Sequence, residues 1–331
     1  MTRLTIAIPN YNGGENLQRA IESCQRINLP LDEFEILVVD NCSTDNSMII
    51  VSELKNKFSN LKFIQNNENV GRIQNWNLCI DNAKGKFLIF LFSNDLINET
   101  NNIDECIKIL DKNEKISIGF SSLLKKDVDR VYIKKSFSEK IIECRSKCFS
   151  TECLTRGLLP FGPIQSIIYR IEDIKKDKNK FRLDMPINAD EIFTYAEASK
   201  RELIIFNPNP QIIWDLTQTR FHGKMKAEDE YKEHSETVKV ISGMIGIDIN
   251  YGLVSTYRAI NLLKFSAGNL KSKGKKFATR HILSNMKESK SFFNTDKILF
   301  KTFMNKIRNS EKDADDILYS EIISKCIKES K

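Results

Sequence analysis

No apolar run in this 331-residue chain approaches the ~18–20 residues needed to cross a bilayer. Met1-Thr2-Arg3-Leu4-Thr5-Ile6 enters a strand pattern at once and shows none of the segments of an export signal. The expectation is a cytoplasmic protein. Its eight cysteines then imply a reducing compartment and free thiols. Cys144, Cys148 and Cys153 are close in sequence, but no Cys-x-x-Cys pair or nearby histidine completes a zinc set, and they read as buried small residues. No G-x-G-x-x-G follows the first strand and no G-x-x-x-x-G-K-[ST] occurs, which excludes the dinucleotide phosphate turn and the P-loop. Without a glycine-rich cradle, a diphosphate is more readily neutralised by a metal held on a carboxylate.

What is present is ordinary for a soluble globular protein, with 41% apolar and 29% charged residues. The length accommodates one large domain, or a domain with an appendage. The net charge of +7 is uneven: Lys264 to Lys290 holds eight basic residues and one acid, Glu288. Such a stretch suits an anionic partner, a phosphate or a membrane surface, or is a solvated helix face. Its two aromatic residues, Phe265 and Phe277, do not make a stacking platform, so nucleic acid is not an expected partner.

Taken in order, Leu4 to Ile8 reads as a strand stopped by Pro9, and Asn10 to Gly14 as a turn. Leu17, Ala20, Ile21 and Cys24 then recur with a helical period. Glu35 to Asp40 is a second strand, with cap and turn residues at 41–47 and a helix to about Phe58. Leu61 to Gln65 is a third strand and Gly71 to Ala83 a helix. Phe87 to Phe92 is a fourth strand, short and unbroken in its apolar character, as strands buried on both faces are. It ends in Ser93-Asn94-Asp95. The alternation predicts βαβ units and a parallel, doubly wound sheet. Three polar loops, Pro9 to Asn12, Asp40 to Thr44 and Ser93 to Asp95, should converge at the carboxyl ends of its strands. Farther on come a helix at Ile103 to Leu110, a strand at Ile116 to Ser122, another at Ser166 to Arg170, and an acidic helix start at Asp190-Glu191, which also simply favours a helix N-terminus.

Four ordered blocks resemble the family 2 glycosyltransferases, the inverting group with the GT-A fold found in bacterial surface-polysaccharide synthesis. They are Ile6 to Asn12, Val38 to Asp45, Asn69-Val70-Gly71 with Arg72 and Asn75, and Ala83 to Phe87 leading to Ser93-Asn94-Asp95. The resemblance implies an α/β GT-A domain over 1–223, with a nucleotide-binding half at 1–97 and an acceptor half at 98–223. Its sheet is mostly parallel, with a smaller antiparallel part, and a helical C-terminal appendage follows at 224–331. It implies a nucleotide-diphosphate sugar donor, of the UDP type, bound by Pro9, Tyr11, Asn12, Asp40, Arg72, Asn75 and Asn94. Asp40 would receive the base, whose imide N–H a carboxylate can accept.

The family's metal signature is Asp-x-Asp or Asp-Asp. Here only Asp95 matches its last acid, so Mn²⁺ or Mg²⁺ would rest on Asp95 with neutral oxygen donors beside it. His222, next to Arg220, would reach the metal or diphosphate from a loop. Asp190 is the expected general base, with Glu191 second, for transfer to a hydroxyl of a glycan or lipid-linked acceptor. The basic helical tail fits membrane-surface docking at the inner face, oligomerisation, acceptor placement or packing on the sheet domain. Two other readings are a catalytically weak sugar-nucleotide-binding module, because the acid triplet is incomplete, and a sugar nucleotidyltransferase. The latter wants a basic, glycine-rich first loop, which Pro9 to Gly14 is not.

Overall fold

The computed structural model describes residues 2–126, 131–134, 138–155, 161, 164–215, 217, 227–249, 254 and 321–327. The chain divides into two compact units, Met1–Glu143 with Phe161–Arg220, and Cys144–Pro160 with Phe221–Lys331.

In the first unit, β1 (Leu4–Asn10), α1 (Gly14–Ser23), β2 (Phe34–Asp40), α2 (Ser47–Lys57), β3 (Leu61–Gln65), α3 (Arg72–Asn82) and β4 (Phe87–Phe90) follow in order. Each of the four strands is parallel to its neighbour. All seven residues of β2 and all four of β4 are buried, the pattern of strands covered by helices on both faces. On α1, the predicted stripe of Leu17, Ala20 and Ile21 is fully buried, as is Cys24 just after it, in one apolar core with Ile6, Ile36 and Ile89.

The hydrogen-bonded part of the fourth strand is shorter than its apolar run. It stops at Phe90, Leu91 N–H still donates to the Ala7 carbonyl at 2.9 Å, and Phe92 turns away to pack on Trp76.

The later strands depart from simple winding. After β5 (Leu96–Ile97) and α4 (Ile103–Lys112) come β6 (Ile116–Ser121), β7 (Leu123–Lys126), β8 (Val131–Lys134) and β9 (Ile142–Arg145). β10 (Ile167–Arg170), α6 (Ile171–Asp177), α7 (Ala189–Ala198), β11 (Leu203–Asn207) and β12 (Ile212–Asp215) complete the unit. The large sheet has the order β3-β2-β1-β4-β10-β6-β11-β9, and β10 is antiparallel to β4 and β6. A one-turn 3₁₀ segment, Ile164–Ser166, precedes β10 and takes in Ser166, which the sequence pattern assigns to the strand. The smaller sheet, β5-β12-β7-β8, is mixed: β12 runs antiparallel to β5 and parallel to β7. Buried Arg170 fastens β10 by donating to the Ile116, Leu110 and Asn113 carbonyls.

In the second unit, α5 (Ser146–Thr155) and α8 (Ala227–Ile245) are helical, as is 321–327. Cys148 on α5 and Cys326 approach to 2.8 Å between sulfurs. Among the described residues no helix is long and apolar enough to cross a membrane. The basic stretch at 264–290 lies outside the described residues.

Candidate active site

The register of the first three strands builds the site's floor. Asn10 pairs with Asp40, and Asp40 with Gln65, so three polar residues stand side by side at the carboxyl ends of β1, β2 and β3. Asp40 is fully buried. Its oxygens accept from Asn10 Nδ2 at 2.7 Å, Ser43 N–H at 2.9 Å, the Ser43 hydroxyl at 2.5 Å and Gln65 Nε2 at 3.4 Å. Asp40 therefore holds the two loops together from beneath, rather than lining the space between them.

That space is a cleft of about 170 Å³. The end of β1 contributes Pro9, Asn10 and Tyr11, and the end of β2 contributes Asn41. The β3–α3 loop adds Asn69, and α3 adds Arg72, Asn75 and Trp76. Tyr11 is half exposed. The amides form a chain: Asn41 Nδ2 donates to Asn69 Oδ1 at 2.7 Å, Asn66 Nδ2 to Asn75 Oδ1 at 2.9 Å and to Asn41 Oδ1 at 3.2 Å, and Asn75 Nδ2 to the Val39 carbonyl at 3.0 Å. Gly71 starts α3 at φ 84°, a conformation glycine adopts at little cost. The Arg72 guanidinium lies over the Trp76 ring, 4.8 Å from its centroid, and donates to the Pro186 carbonyl. Asn12, itself at φ 52°, does not line the cleft. Its N–H and Oδ1 bind Ser43 Oγ and Thr44 N–H, each at 2.8 Å, and brace the second loop.

A second cluster forms past the end of β4. Asp95 is fully buried and takes bonds from Gln165 Nε2 at 3.1 Å, the Asp215 N–H at 3.2 Å and Asn94 Nδ2 at 3.2 Å. Asn94 Nδ2 also reaches the Asp215 carbonyl at 3.1 Å. Burial pushes the Asp95 carboxyl well above the usual carboxylate range; the Asp215 N–H opposes this, the Asp215 charge adds to it, and the Gln165 amide opposes it again. Burial also pushes Asp215 up, but the Thr217 hydroxyl and N–H together with Lys126 outweigh it and leave Asp215 below its ordinary value. Gln165 Oε1 is buried with no hydrogen-bond partner, while its own Nε2 holds Asp95. Among the described residues no group of three or more His, Cys, Asp or Glu side chains is arranged to hold a metal ion.

Asp190 and Glu191 occupy the first turn of α7. Asp190 is half-buried and accepts the Glu191 N–H at 3.0 Å; the Glu191 side chain is buried. The helix N-terminus favours negative charge at this place. The Tyr169 and Thr194 hydroxyls, 2.6 Å apart, and the stacked Phe181 and Phe193 rings anchor α7. The segment before it is tied to α3 through Arg72 and Pro186.

Of the predicted residues, Pro9, Tyr11, Arg72 and Asn75 meet in the cleft, and Asn94 and Asp95 meet in the second cluster. His222 lies outside the described residues. Asn41, Asn69 and Trp76 also line the cleft, and Gln165 and Asp215 complete the second cluster. Asn41 had a signal, because side chains at a strand end alternate in direction, so the neighbour of a buried Asp40 faces elsewhere. Gln165 and Asp215 had none.

The model of the glycosyl transferase family 2 matches residues 5–177. A poly(ribitol-phosphate) beta-N-acetylglucosaminyltransferase, TarS of Staphylococcus aureus (strain Mu50), is 35% identical over 100 residues, which are 30% of this chain and 17% of TarS. The chain thus matches under a fifth of that relative's length. Among solved structures, S. aureus TarS 1–349 in complex with UDP-GlcNAc aligns with 98% of this chain and 91% of its own at TM-score 0.64 and 17% identity. A mannosyltransferase from Pyrobaculum calidifontis, in complex with GDP-Man and Mn²⁺, aligns with 93% and 88% at TM-score 0.52 and 13% identity. At these identities the structural likeness concerns the fold.

Proposed function

The chain belongs to glycosyl transferase family 2, and from that premise we propose that it transfers a sugar, with inversion, from a UDP-type donor to a hydroxyl of a glycan or lipid-linked acceptor. The observation that carries this reading is the cleft at the ends of β1 and β2, lined by amides and the Arg72 guanidinium. Amide groups match the carbonyl and imide edge of uracil, and a guanidinium suits a diphosphate. A fold neighbour bound to UDP-GlcNAc supports the same donor class.

In this reading Asp190 takes the proton of the acceptor hydroxyl as its oxygen attacks the anomeric carbon. The bond to the diphosphate oxygen breaks on the opposite side, and the electron pair leaves with the diphosphate. Asp95 fits a divalent cation: it is one carboxylate with a buried, unpartnered oxygen of Gln165 in the same cluster, and oxygen donors suit Mn²⁺ and Mg²⁺. Bound there, such an ion would neutralise charge gathering on the leaving group, with His222 as a further ligand. Arg72 joins the donor cleft to the segment leading into the helix of the base. Peripheral membrane contact through the basic tail belongs to the same proposal.

A thermal-shift screen of UDP, GDP and dTDP, with and without Mn²⁺, tests the reading. Ligand at a hundredfold excess over its dissociation constant stabilises by ~2.7 kcal/mol. UDP is expected to raise the melting temperature most, and Mn²⁺ to raise it further. No shift with any nucleotide would overturn the proposal.

A further inference from the structure

We propose that Gln165 is a positioning residue and a ligand in the cation site on Asp95, its neutral amide oxygen serving in place of the acid that the triplet Ser93-Asn94-Asp95 lacks; this rests on the metal reading above. Nearly every buried polar atom in a folded protein finds a partner, and leaving one without costs free energy. Gln165 is 2% exposed, yet its Oε1 has no hydrogen-bond partner. The same amide directs Nε2 to Asp95 Oδ2 at 3.1 Å, so the orphaned oxygen lies on the head group that touches the carboxylate. With Asp95 ionised, as a cation ligand is, the orientation follows: reversing the amide would set Oε1 against Asp95 Oδ2, acceptor against acceptor.

Asp95 has no other acid on its own loop, where Ser93 and Asn94 precede it. Its Oδ1 is held by two N–H donors, from Asn94 and the Asp215 backbone. Asp215 turns its own carboxylate elsewhere, to Thr217 at 2.5 Å and Lys126 at 3.5 Å. Gln165 thus brings a neutral oxygen, of the kind carbonyl and amide ligands offer hard divalent cations, and an N–H that orients the charged ligand. It can do both because the 3₁₀ segment Ile164–Ser166 packs against β4 and α7.

The test uses the full chain with Mn²⁺, its binding followed by electron paramagnetic resonance of the free ion at saturating UDP. Gln165→Leu removes oxygen and donor, and is expected to weaken Mn²⁺ by about tenfold or more, while UDP binding in EDTA stays at the wild-type value. Gln165→Glu sets a second carboxylate beside Asp95. Without metal it is expected to melt below wild type, with Mn²⁺ to recover, and to bind Mn²⁺ more tightly than wild type. A residue that only fills space would not produce that gain. Wild-type Mn²⁺ affinity in Gln165→Leu, or no gain in Gln165→Glu, overturns the inference. If Asp95→Asn abolishes Mn²⁺ binding in the same series, the metal reading survives that failure. If Asp95→Asn also binds normally, or the wild type takes up no Mn²⁺, both fall.

Discussion

Asp40→Asn separates a carboxylate that braces the cleft from one that touches the ligand. The wild-type oxygens take bonds from Asn10 Nδ2 (2.7 Å), the Ser43 N–H (2.9 Å), the Ser43 hydroxyl (2.5 Å) and Gln65 Nε2 (3.4 Å). The substitution turns one of these oxygens into an NH₂ group. At the Oδ2 position that group meets the Ser43 N–H and the Gln65 amide, donor against donor. At Oδ1 it meets the Asn10 NH₂. Asn10 can answer by flipping, and its oxygen, then 3.2 Å from Ser43 Oγ, can take the hydroxyl proton, but its NH₂ moves to the place where Oδ1 had no partner and is left without an acceptor. Either way one buried donor is orphaned, at about 1–3 kcal/mol, and the surviving bonds exchange a charged acceptor for a neutral one, so the sum is about 3 kcal/mol. For a unit of this size that is a fall of about 6–12 °C in melting temperature. Circular-dichroism melts give the stability, and calorimetric titration of UDP well below the transition gives the affinity. Bracing predicts the lower melt with UDP affinity largely retained. An unchanged melt with UDP binding lost would refute it and put Asp40 in direct contact with the base.

Gly85→Ala would set a Cβ 2.5 Å from the Thr5 nitrogen and 2.6 Å from the Leu4 carbonyl carbon. Those are backbone atoms of a central strand, so a loss of about 3 kcal/mol or more is expected in urea denaturation. Asp190→Ala should cut turnover by about 10²–10⁴-fold with the fold intact; near-normal transfer to acceptor would remove Asp190 as the base. Burial raises the Glu197 carboxyl above its ordinary value, against bonds from Lys200 and Asn179. A raised folded value means that this group's contribution is complete at low pH and is lost as pH rises through that value. Glu197→Gln, which does not titrate, should therefore gain stability relative to wild type between acid and neutral pH, measured as the difference between paired melts. Burial drives the thiols of Cys24 and Cys79 far up, and those of Cys106 and Cys144 up to about 12. Half-exposed Cys42 should alkylate before all four in mass-spectrometric footprinting.

The first half of the fold was legible because its information is local. An apolar run between turn residues identifies β2 and β4 whatever they pair with, and the spacing of Leu17, Ala20 and Ile21 identifies α1. The second half depends on pairings distant in sequence. β5 has two residues and β12 four, too few for an alternation to register, and the reversal of β10 against β4 leaves no mark on its composition. The same division runs through the site. Loops at the ends of β1 and β2 could be expected to meet, since parallel neighbours end together. That Asp40 lies beneath the cleft while Asn41 lines it turns on a single step along the chain. Gln165 gains its role only because β10 returns beside β4, which no motif records.

The amide chain in the cleft has a direction, and backbone groups set it. The Val70 N–H can only donate, so the Asn41 oxygen faces it at 2.9 Å and the Asn41 NH₂ faces Asn69. The Gly71 N–H likewise holds the Asn69 oxygen at 3.0 Å. On the other side the Val39 carbonyl can only accept, so Asn75 gives it its NH₂ and turns its oxygen to Asn66. The acceptors are consumed within the network, and what Asn41 and Asn69 have left to offer a ligand are donors. Such a lining favours carbonyl and phosphate oxygens over amino groups. On the proposed reading it should prefer a uridine nucleotide, with two ring carbonyls, to a cytidine nucleotide, with an amino group in place of one of them. The preference would then originate in the backbone groups of Val39, Val70 and Gly71, which hold the amides in place without needing to touch the base.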